Sequence, residues 1–147
     1  MTETTAYTEF PKRQINWIAF VGALIFAPVF IQLIGLALTV VAAPVDASAG
    51  ASALVLVLAP FFGLKTYLLF GAPLFALYLK FCGSNPWGLA AVGFVANLIS
   101  IPLVYFDAEL AGNDGVHFVR NVVGLGCFVA PIWAFTFGCF YRGFTHD

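Results

Sequence analysis

Long apolar stretches with almost no charge run through this sequence, and they constrain its fold more than any other feature. Six of the 147 residues are Lys or Arg and seven are Asp or Glu, while 62% of the chain is hydrophobic. Soluble domains carry about a quarter charged residues. Because water is a poor solvent for such stretches, the sequence predicts an integral membrane protein.

The apolar stretches have the number and length expected of four spanning helices. A bilayer core about 30 Å thick is crossed by about 20 helical residues. The expected fold class is therefore all-α, an integral membrane bundle of four transmembrane helices. These helices are predicted at about residues 17–43, 61–81, 87–106 and 118–141. They form a transmembrane domain over residues 16–142, flanked by a polar N-terminal arm (1–15) and a short C-terminal tail (143–147).

The first apolar stretch has a competing interpretation as a signal peptide. Lys12 and Arg13 precede it, and the small residues at 47–49 resemble a cleavage site. The apolar region of a signal peptide is, however, about 7–15 residues long. Residues 17–43 are much longer, which favours an uncleaved first helix.

The stretch 52–81 is too long for one upright helix. Pro60 and Gly63 divide it, so residues 52–60 are interpreted as the end of the crossing or an interfacial turn, with the second helix beginning at about residue 61. A single, steeply tilted helix over the whole stretch is the alternative.

The distribution of Lys and Arg predicts the orientation, because cytoplasmic loops collect these residues. The four-helix arrangement places Lys12, Arg13, Lys80 and Arg142 on one side, against Lys65 and Arg120 on the other. This distribution favours both termini in the cytoplasm, and the expected location is a bacterial cytoplasmic membrane. Aromatic rings with a polar tip prefer the headgroup level. We therefore expect Tyr67 and Tyr105 near the opposite, non-cytoplasmic interface.

Small residues spaced four apart predict the packing faces of two helices. Helices in lipid associate through close approach rather than through a hydrophobic drive, and residues four apart share one helix face. The two ladders are Ala19, Ala23 and Ala27 in the first helix, and Gly126, Ala130, Ala134 and Gly138 in the fourth. Packing within the bundle is the main interpretation, and a partner subunit or a homodimer on one of these faces is the alternative.

Lys65 is the most informative single residue, because a cation within a spanning segment is costly and points to function. If the helix begins at residue 61, Lys65 lies four residues into it, and its long side chain could reach the membrane interface. Alternatively, it pairs within the bundle with Asp107 or Glu109, at the end of the third helix. A ligand-binding or proton-linked role is the functional interpretation of the same residue.

The predicted loop at residues 107–117 holds three of the seven acidic residues. Its ligand or ion-pair candidates are Asp107, Glu109, Asp114 and His117, followed by Arg120. Oxygen-rich clusters can bind Ca²⁺ or Mg²⁺, but this spacing matches no metal loop. Turn and helix-capping roles are therefore the main expectation, and neither a metal site nor a cofactor is predicted.

Uncharged polar side chains at bilayer depth need an internal partner. Gln32, Asn97, Thr136 and the indole of Trp133 are the residues concerned. We expect Gln32 and Asn97 to form hydrogen bonds between helices. A substrate path lined by such groups is the alternative.

No catalytic constellation can be recognised in the sequence, and no catalytic residue is predicted. The GxSxG and HExxH motifs are absent, as is a phosphate-binding loop. We therefore expect a small accessory or scaffold subunit whose partners are membrane lipids and either another membrane protein or further copies of this chain. The dispersed basic residues give no footprint for nucleic acid. The alternatives are a small oligomeric transporter or channel using Lys65 with Asp107 or Glu109 and, with less support, a membrane enzyme acting on a lipid.

Overall fold

The computed structural model describes residues 14–145, apart from the side chains of residues 49, 51, 52 and 55. The described portion of the chain is helical and contains no β-strand. Its elements are α1 (Trp17–Ala42), α2 (Ala47–Thr66), a π-helical segment (Tyr67–Gly71), α3 (Ala72–Phe81), α4 (Pro86–Ile99), α5 (Ile101–Leu110) and α6 (Gly115–Thr145). The predicted arm at 1–15 lies almost wholly outside these residues.

Within residues 14–145, three stretches are long and apolar enough to cross a membrane: Trp17–Ala42, Leu56–Phe81 and Gly115–Thr145. A fourth crossing is present when α4 and α5, which meet at an angle of 41°, are taken as one broken span. The all-α membrane bundle predicted from the sequence is thus confirmed. Consecutive crossings are joined by short connections at residues 43–46, 82–85 and 111–114.

The second crossing begins earlier than predicted. Residues 52–60 are helical rather than an interfacial turn, and α2 begins at Ala47, where the Asp46 side chain accepts a hydrogen bond from the Ser48 N–H at 2.8 Å. The helix runs on through the π segment and α3 to Phe81, so the single-helix alternative is correct. Pro60 removes only one backbone hydrogen bond, which a spanning helix can tolerate when neighbouring helices support it.

The third crossing is longer than the predicted 87–106 and is broken. Ser100 is the C-cap of α4, and α5 begins immediately after it with Pro102 in its first turn. Proline has no N–H and its ring clashes with the carbonyl four residues earlier, which favours a break of the helix at this point. Beyond the break, α5 continues to Leu110, so the loop predicted at 107–117 is reduced to residues 111–114.

The fourth crossing, α6, extends at both ends beyond the predicted 118–141. It begins at Gly115, and its last described turn includes Arg142 and reaches Thr145, within the predicted tail. The start of α1 is joined to the end of α6 by a hydrogen bond, which the Asn16 N–H donates to the Tyr141 hydroxyl at 3.2 Å. The Asn16 side chain also caps α1 by accepting a bond from the Ala19 N–H.

Helix α6 is the centre of the bundle, because it packs against α1, α4 and α5, while α2 packs mainly against α1. Aromatic rings fill the core where these helices meet. The ring of Phe137 lies 5.0 Å from that of Phe75 and 5.3 Å from that of Phe20, between ring centroids. Both predicted small-residue ladders face inward: Ala19, Ala23, Ala27, Ala134 and Gly138 are buried, and Gly126 and Ala130 are half-buried.

The expected hydrogen bonds between helices are confirmed for both amide side chains. Gln32 Nε2 donates to the Val57 carbonyl at 3.2 Å and joins α1 to α2. Asn97 Nδ2 donates to the Val123 carbonyl at 3.0 Å and joins α4 to α6. Thr136 instead bonds within its own helix, to the Ile132 carbonyl at 2.8 Å.

The closest approach of α4 to α6 occurs at Gly93. A Cβ atom placed there would lie 2.5 Å from Ala134 Cβ and 2.7 Å from the Ala130 carbonyl oxygen. Only a hydrogen atom fits at this position without a shift of one helix. We therefore expect Gly93→Ala to destabilise the bundle by about 2 kcal/mol, the usual range for overpacking.

The control for this prediction is Gly124→Ala, because a Cβ atom at Gly124 meets nothing within 4 Å. Both changes raise helix propensity equally, so their difference isolates the helix contact. Unfolding midpoints in a mild detergent measure it. Equal midpoints for the two variants would show that the approach at Gly93 does not limit stability.

Candidate functional site

An ion pair joins the second and third crossings. The Lys65 Nζ atom on α2 donates to both carboxylate oxygens of Asp107 on α5, at 2.8 and 2.6 Å. Both side chains are about half exposed on the outside of the bundle, at 59% and 42%. Of the two carboxylates considered from the sequence, the structure places Asp107 against Lys65.

The position of Lys65 differs from the expected one. Because the helix begins at Ala47 rather than near residue 61, Lys65 lies close to the middle of the continuous stretch that ends at Phe81. It also lies within the apolar span Leu56–Phe81. The cation is therefore not a residue of the first helical turn, and its charge is balanced by a neighbouring helix.

The remaining acidic candidates act at the start of α6. The Glu109 Oε1 atom accepts a hydrogen bond from the Gly115 N–H at 3.0 Å. Asp114 Oδ1 accepts from the N–H groups of Val116 and His117 at 3.0 and 3.1 Å. Helix starts leave such donors unsatisfied, and negative charge is favourable there. These two carboxylates therefore cap a helix.

His117 and Arg120 lie one turn apart on α6 and contact each other, with 3.1 Å between His117 Nδ1 and an Arg120 guanidinium nitrogen. The His117 ring also lies 3.8 Å from the Asp114 carboxylate. Within the described residues, no group of three or more His, Cys, Asp or Glu side chains is arranged to hold a metal ion.

A cavity of about 270 Å³ lies between the helices, beside the ion pair. Its walls come from α2, the π segment and α3 on one side, and from α4, α5 and α6 on the other. Thr66, the neighbour of Lys65, and Val104, one turn before Asp107, both line it. The ion pair therefore links two walls of the cavity at its edge.

Local sequence explains why the helices leave this space. Glycine, alanine and serine supply much of the lining, including Gly63, Ala96, Ser100 and Gly126. The break after Ser100 turns α5 away from the axis of α4 by 41°. On the facing wall, the π segment replaces regular α-helix at Tyr67–Gly71. Such π segments occur frequently at functional sites.

Two hydrogen-bonding groups in the cavity wall have no partner among the described residues. Tyr67 and Trp133 both line the cavity and are only 8% and 3% exposed. The Tyr67 hydroxyl and the Trp133 Nε1 atom are buried without a hydrogen bond. An unsatisfied buried group costs about 1–3 kcal/mol. Their ring centroids are 5.4 Å apart in a T-shaped contact, so the two side chains from facing walls of the cavity meet.

Sequence reasoning missed this pair. Tyr67 was expected at the membrane interface, but the longer α2 carries it into the core. Trp133 was expected to need an internal partner, and its indole N–H finds none among the described residues. The available signal was an indole at bilayer depth, but nothing in the sequence placed a tyrosine beside it.

No protein-family model matches this sequence, and comparison with curated proteins and with solved structures finds no match either.

The ion pair gives a stability prediction. Lys65→Met would leave the Asp107 carboxylate without a cation inside an apolar span, and Asp107→Asn would leave Lys65 in the same state. Breaking a fully buried pair costs about 3–5 kcal/mol. Since both side chains are half exposed, we expect a loss of about 1–2 kcal/mol from either change, measured by unfolding in detergent.

Exchanging the charges, with Lys65→Asp and Asp107→Lys together, should recover most of that loss. The matched control is Lys80→Met, at the end of α3, where the cation lies 5.6 Å from the Phe81 ring centroid and has no described salt bridge. A Lys65→Met protein as stable as the Lys80→Met protein would contradict a structural role for the pair.

Proposed function

We propose that this protein is a small accessory subunit of the membrane whose bundle binds one small, largely apolar molecule between its helices. The cavity of about 270 Å³ is the observation that carries the proposal. Small-molecule sites are concave, mostly apolar and furnished with a few polar groups, and they form readily between the helices of bundles. The lining described above has this composition.

The cavity volume limits the size of the molecule. An apolar cavity of about 150 Å³ accommodates benzene. A volume of about 270 Å³ therefore suits a fused two-ring molecule or a short length of acyl chain. The ligand would reach the cavity from the bilayer, because the lining belongs to helices that are themselves apolar enough to span it.

The accessory role proposed from the sequence is compatible with binding. At most a third of each spanning stretch is buried within the chain, so most of its surface is left for lipids or a partner. The two small-residue ladders are used inside the bundle, and a partner would therefore contact other faces. A stoichiometric partner that co-purifies in a gentle detergent would support the accessory role.

A second candidate, a small transporter or channel, is favoured by one observation. The Lys65–Asp107 pair links α2 to α5 at the edge of the cavity, and breaking this pair would let the two walls of the cavity move apart. The two candidates differ in what loss of Lys65 removes. A subunit that only binds loses stability or assembly, whereas a transporter loses flux while it still assembles.

Filling the cavity should abolish binding. Val104 lines the cavity and is 8% exposed, so Val104→Phe places a ring in the proposed ligand volume. Tetralin, a fused two-ring hydrocarbon, is the probe. With Trp17 and Trp87 replaced by Phe, Trp133 labelled as 5-fluorotryptophan is the only indole, and its ¹⁹F resonance in lipid nanodiscs reports binding.

We expect a saturable shift of this resonance in the protein with Val104 and no saturable shift after Val104→Phe. Val95→Phe makes the same chemical change on a side chain that is 48% exposed and does not line the cavity. It should leave the titration unchanged. A titration that never saturates before Val104 is changed would show partition into lipid only, and would overturn the binding proposal.

The orientation is also a proposal, with both termini in the cytoplasm of a bacterial cell. It is supported by Lys80 and Arg142, which lie at the same end of the bundle as Asn16 and the loop at residues 82–85. Cytoplasmic faces are rich in such residues.

Cys82 in that loop is exposed and gives a direct test. A membrane-impermeant maleimide should label it in inverted vesicles and leave it unlabelled in intact spheroplasts. The control places a cysteine at the opposite end, Asn113→Cys in a Cys82→Ser protein, where the pattern should reverse. Labelling of Cys82 in spheroplasts would invert the proposed topology.

A further inference from the structure

We propose that the cavity recognises a neutral, apolar molecule through a carbonyl oxygen, with Trp133 and Tyr67 as the hydrogen-bond donors. This inference rests on the proposed binding function and specifies the chemistry of the ligand.

The buried donors determine which kind of polar atom the ligand must supply. Two polar side chains of the lining already donate within the protein: Ser100 Oγ to the Asn97 carbonyl at 2.7 Å, and Asn97 Nδ2 to the Val123 carbonyl at 3.0 Å. The Trp133 Nε1 group has no partner among the described residues. Because an indole N–H can only donate, whatever satisfies it must offer an acceptor.

The number of buried donors also constrains the ligand. The Tyr67 hydroxyl also lacks a described partner, and it belongs to the ring packed edge-on against Trp133. A carbonyl oxygen has two lone pairs and no proton. It can therefore accept from one or both groups without adding a donor that would itself need a partner in this apolar wall.

The absence of charge in the described lining constrains the charge of the ligand. None of the described residues that line the cavity is Asp, Glu, Lys, Arg or His. Lys65 and Asp107, at the edge of the cavity, are paired with each other. An ionised ligand would find no counter-charge, and burying an unpaired charge is far more costly than burying a neutral polar group. The ligand is therefore neutral.

The test compares 1-tetralone with tetralin, which share a fused two-ring skeleton and differ in one carbonyl group. The full-length protein with Trp17→Phe and Trp87→Phe is labelled with ¹⁵N-tryptophan and reconstituted in nanodiscs. Affinities are corrected for the partition of each probe into lipid. We expect tetralone to bind about tenfold more tightly than tetralin and to move the Trp133 indole proton downfield.

Tyr67→Phe removes one donor and keeps the ring, so it should reduce the preference for tetralone to about threefold. Tyr105→Phe is the control, since Tyr105 is 38% exposed and does not line the cavity. It should leave the preference unchanged. The preference is a ratio within each protein, so it stays interpretable when a variant loses some stability.

The same resonance identifies the source of the carbonyl. Ester-linked lipids carry carbonyl groups and ether-linked lipids do not. If a bilayer lipid supplies the oxygen, the indole proton is downfield in ester-lipid nanodiscs without any probe and returns upfield in ether-lipid nanodiscs. If a free molecule supplies it, the proton is upfield in both lipids and moves only when tetralone is added. Either result supports the proposal.

Three results would overturn it. Equal binding of tetralone and tetralin would refute the carbonyl preference while leaving apolar binding intact. An indole proton that is downfield in ether-lipid nanodiscs without a probe would show that the donor is already satisfied by another group. Binding of neither probe would refute the inference together with the proposed function.

Discussion

The approach of α4 to α6 through small residues is the contact on which the rest of the bundle depends. Lipid offers helices no hydrophobic reason to associate, so association rests on contact at short range. At Gly93 the two backbones are so close that a methyl group has no room. At Gly138 an added Cβ atom would lie 2.9 Å from Pro86 Cα, so the same closeness recurs near the start of α4. This contact between α4 and α6 places α6 at the centre of the bundle, and α1 and α5 pack around α6.

The contact between α4 and α6 also explains where the cavity lies. Helix α4 packs closely on α6 up to the break after Ser100. Beyond it, α5 has Pro102 in its first turn and runs at 41° to α4. On the facing wall, the π segment interrupts the long second crossing. The cavity lies between this break and the π segment, although α5 and Tyr67 of the π segment both still contact α6. The Lys65–Asp107 pair joins the two walls at the edge of the cavity.

Much of this architecture could be predicted from the sequence, because it follows from local composition. The absence of charge defined the membrane spans, and the spacing of Ala23 and Ala134 with their neighbours identified helix faces that are buried in the structure. Gln32 and Asn97 were predicted to bond across helices because an amide in lipid has few other options. Each of these inferences needs only the residue and the solvent around it.

The errors arose where the outcome depends on the partner helix. Pro60 was predicted to divide an apolar stretch and Pro102 lay within a predicted span, yet the chain stays helical through Pro60 and breaks just before Pro102. Nothing local separates these cases, since neighbouring helices decide whether a lost hydrogen bond is tolerated. The start of α2 at Ala47 was likewise not predicted, because the length of α2 could not be judged without its packing on α1. Tyr67 was misplaced for the same reason.

The cavity wall shows how a sequence can carry information that composition does not reveal. A phenylalanine at either position would keep the T-shaped contact of Tyr67 and Trp133 while removing a polar atom that has no described partner. The chain already uses phenylalanine at 17 positions, so an apolar ring was an available solution. Retaining both an indole N–H and a phenol where the two walls of an apolar cavity meet costs stability unless an acceptor arrives from elsewhere. The specificity of the site therefore depends on two donor atoms, while the small residues around them supply the volume.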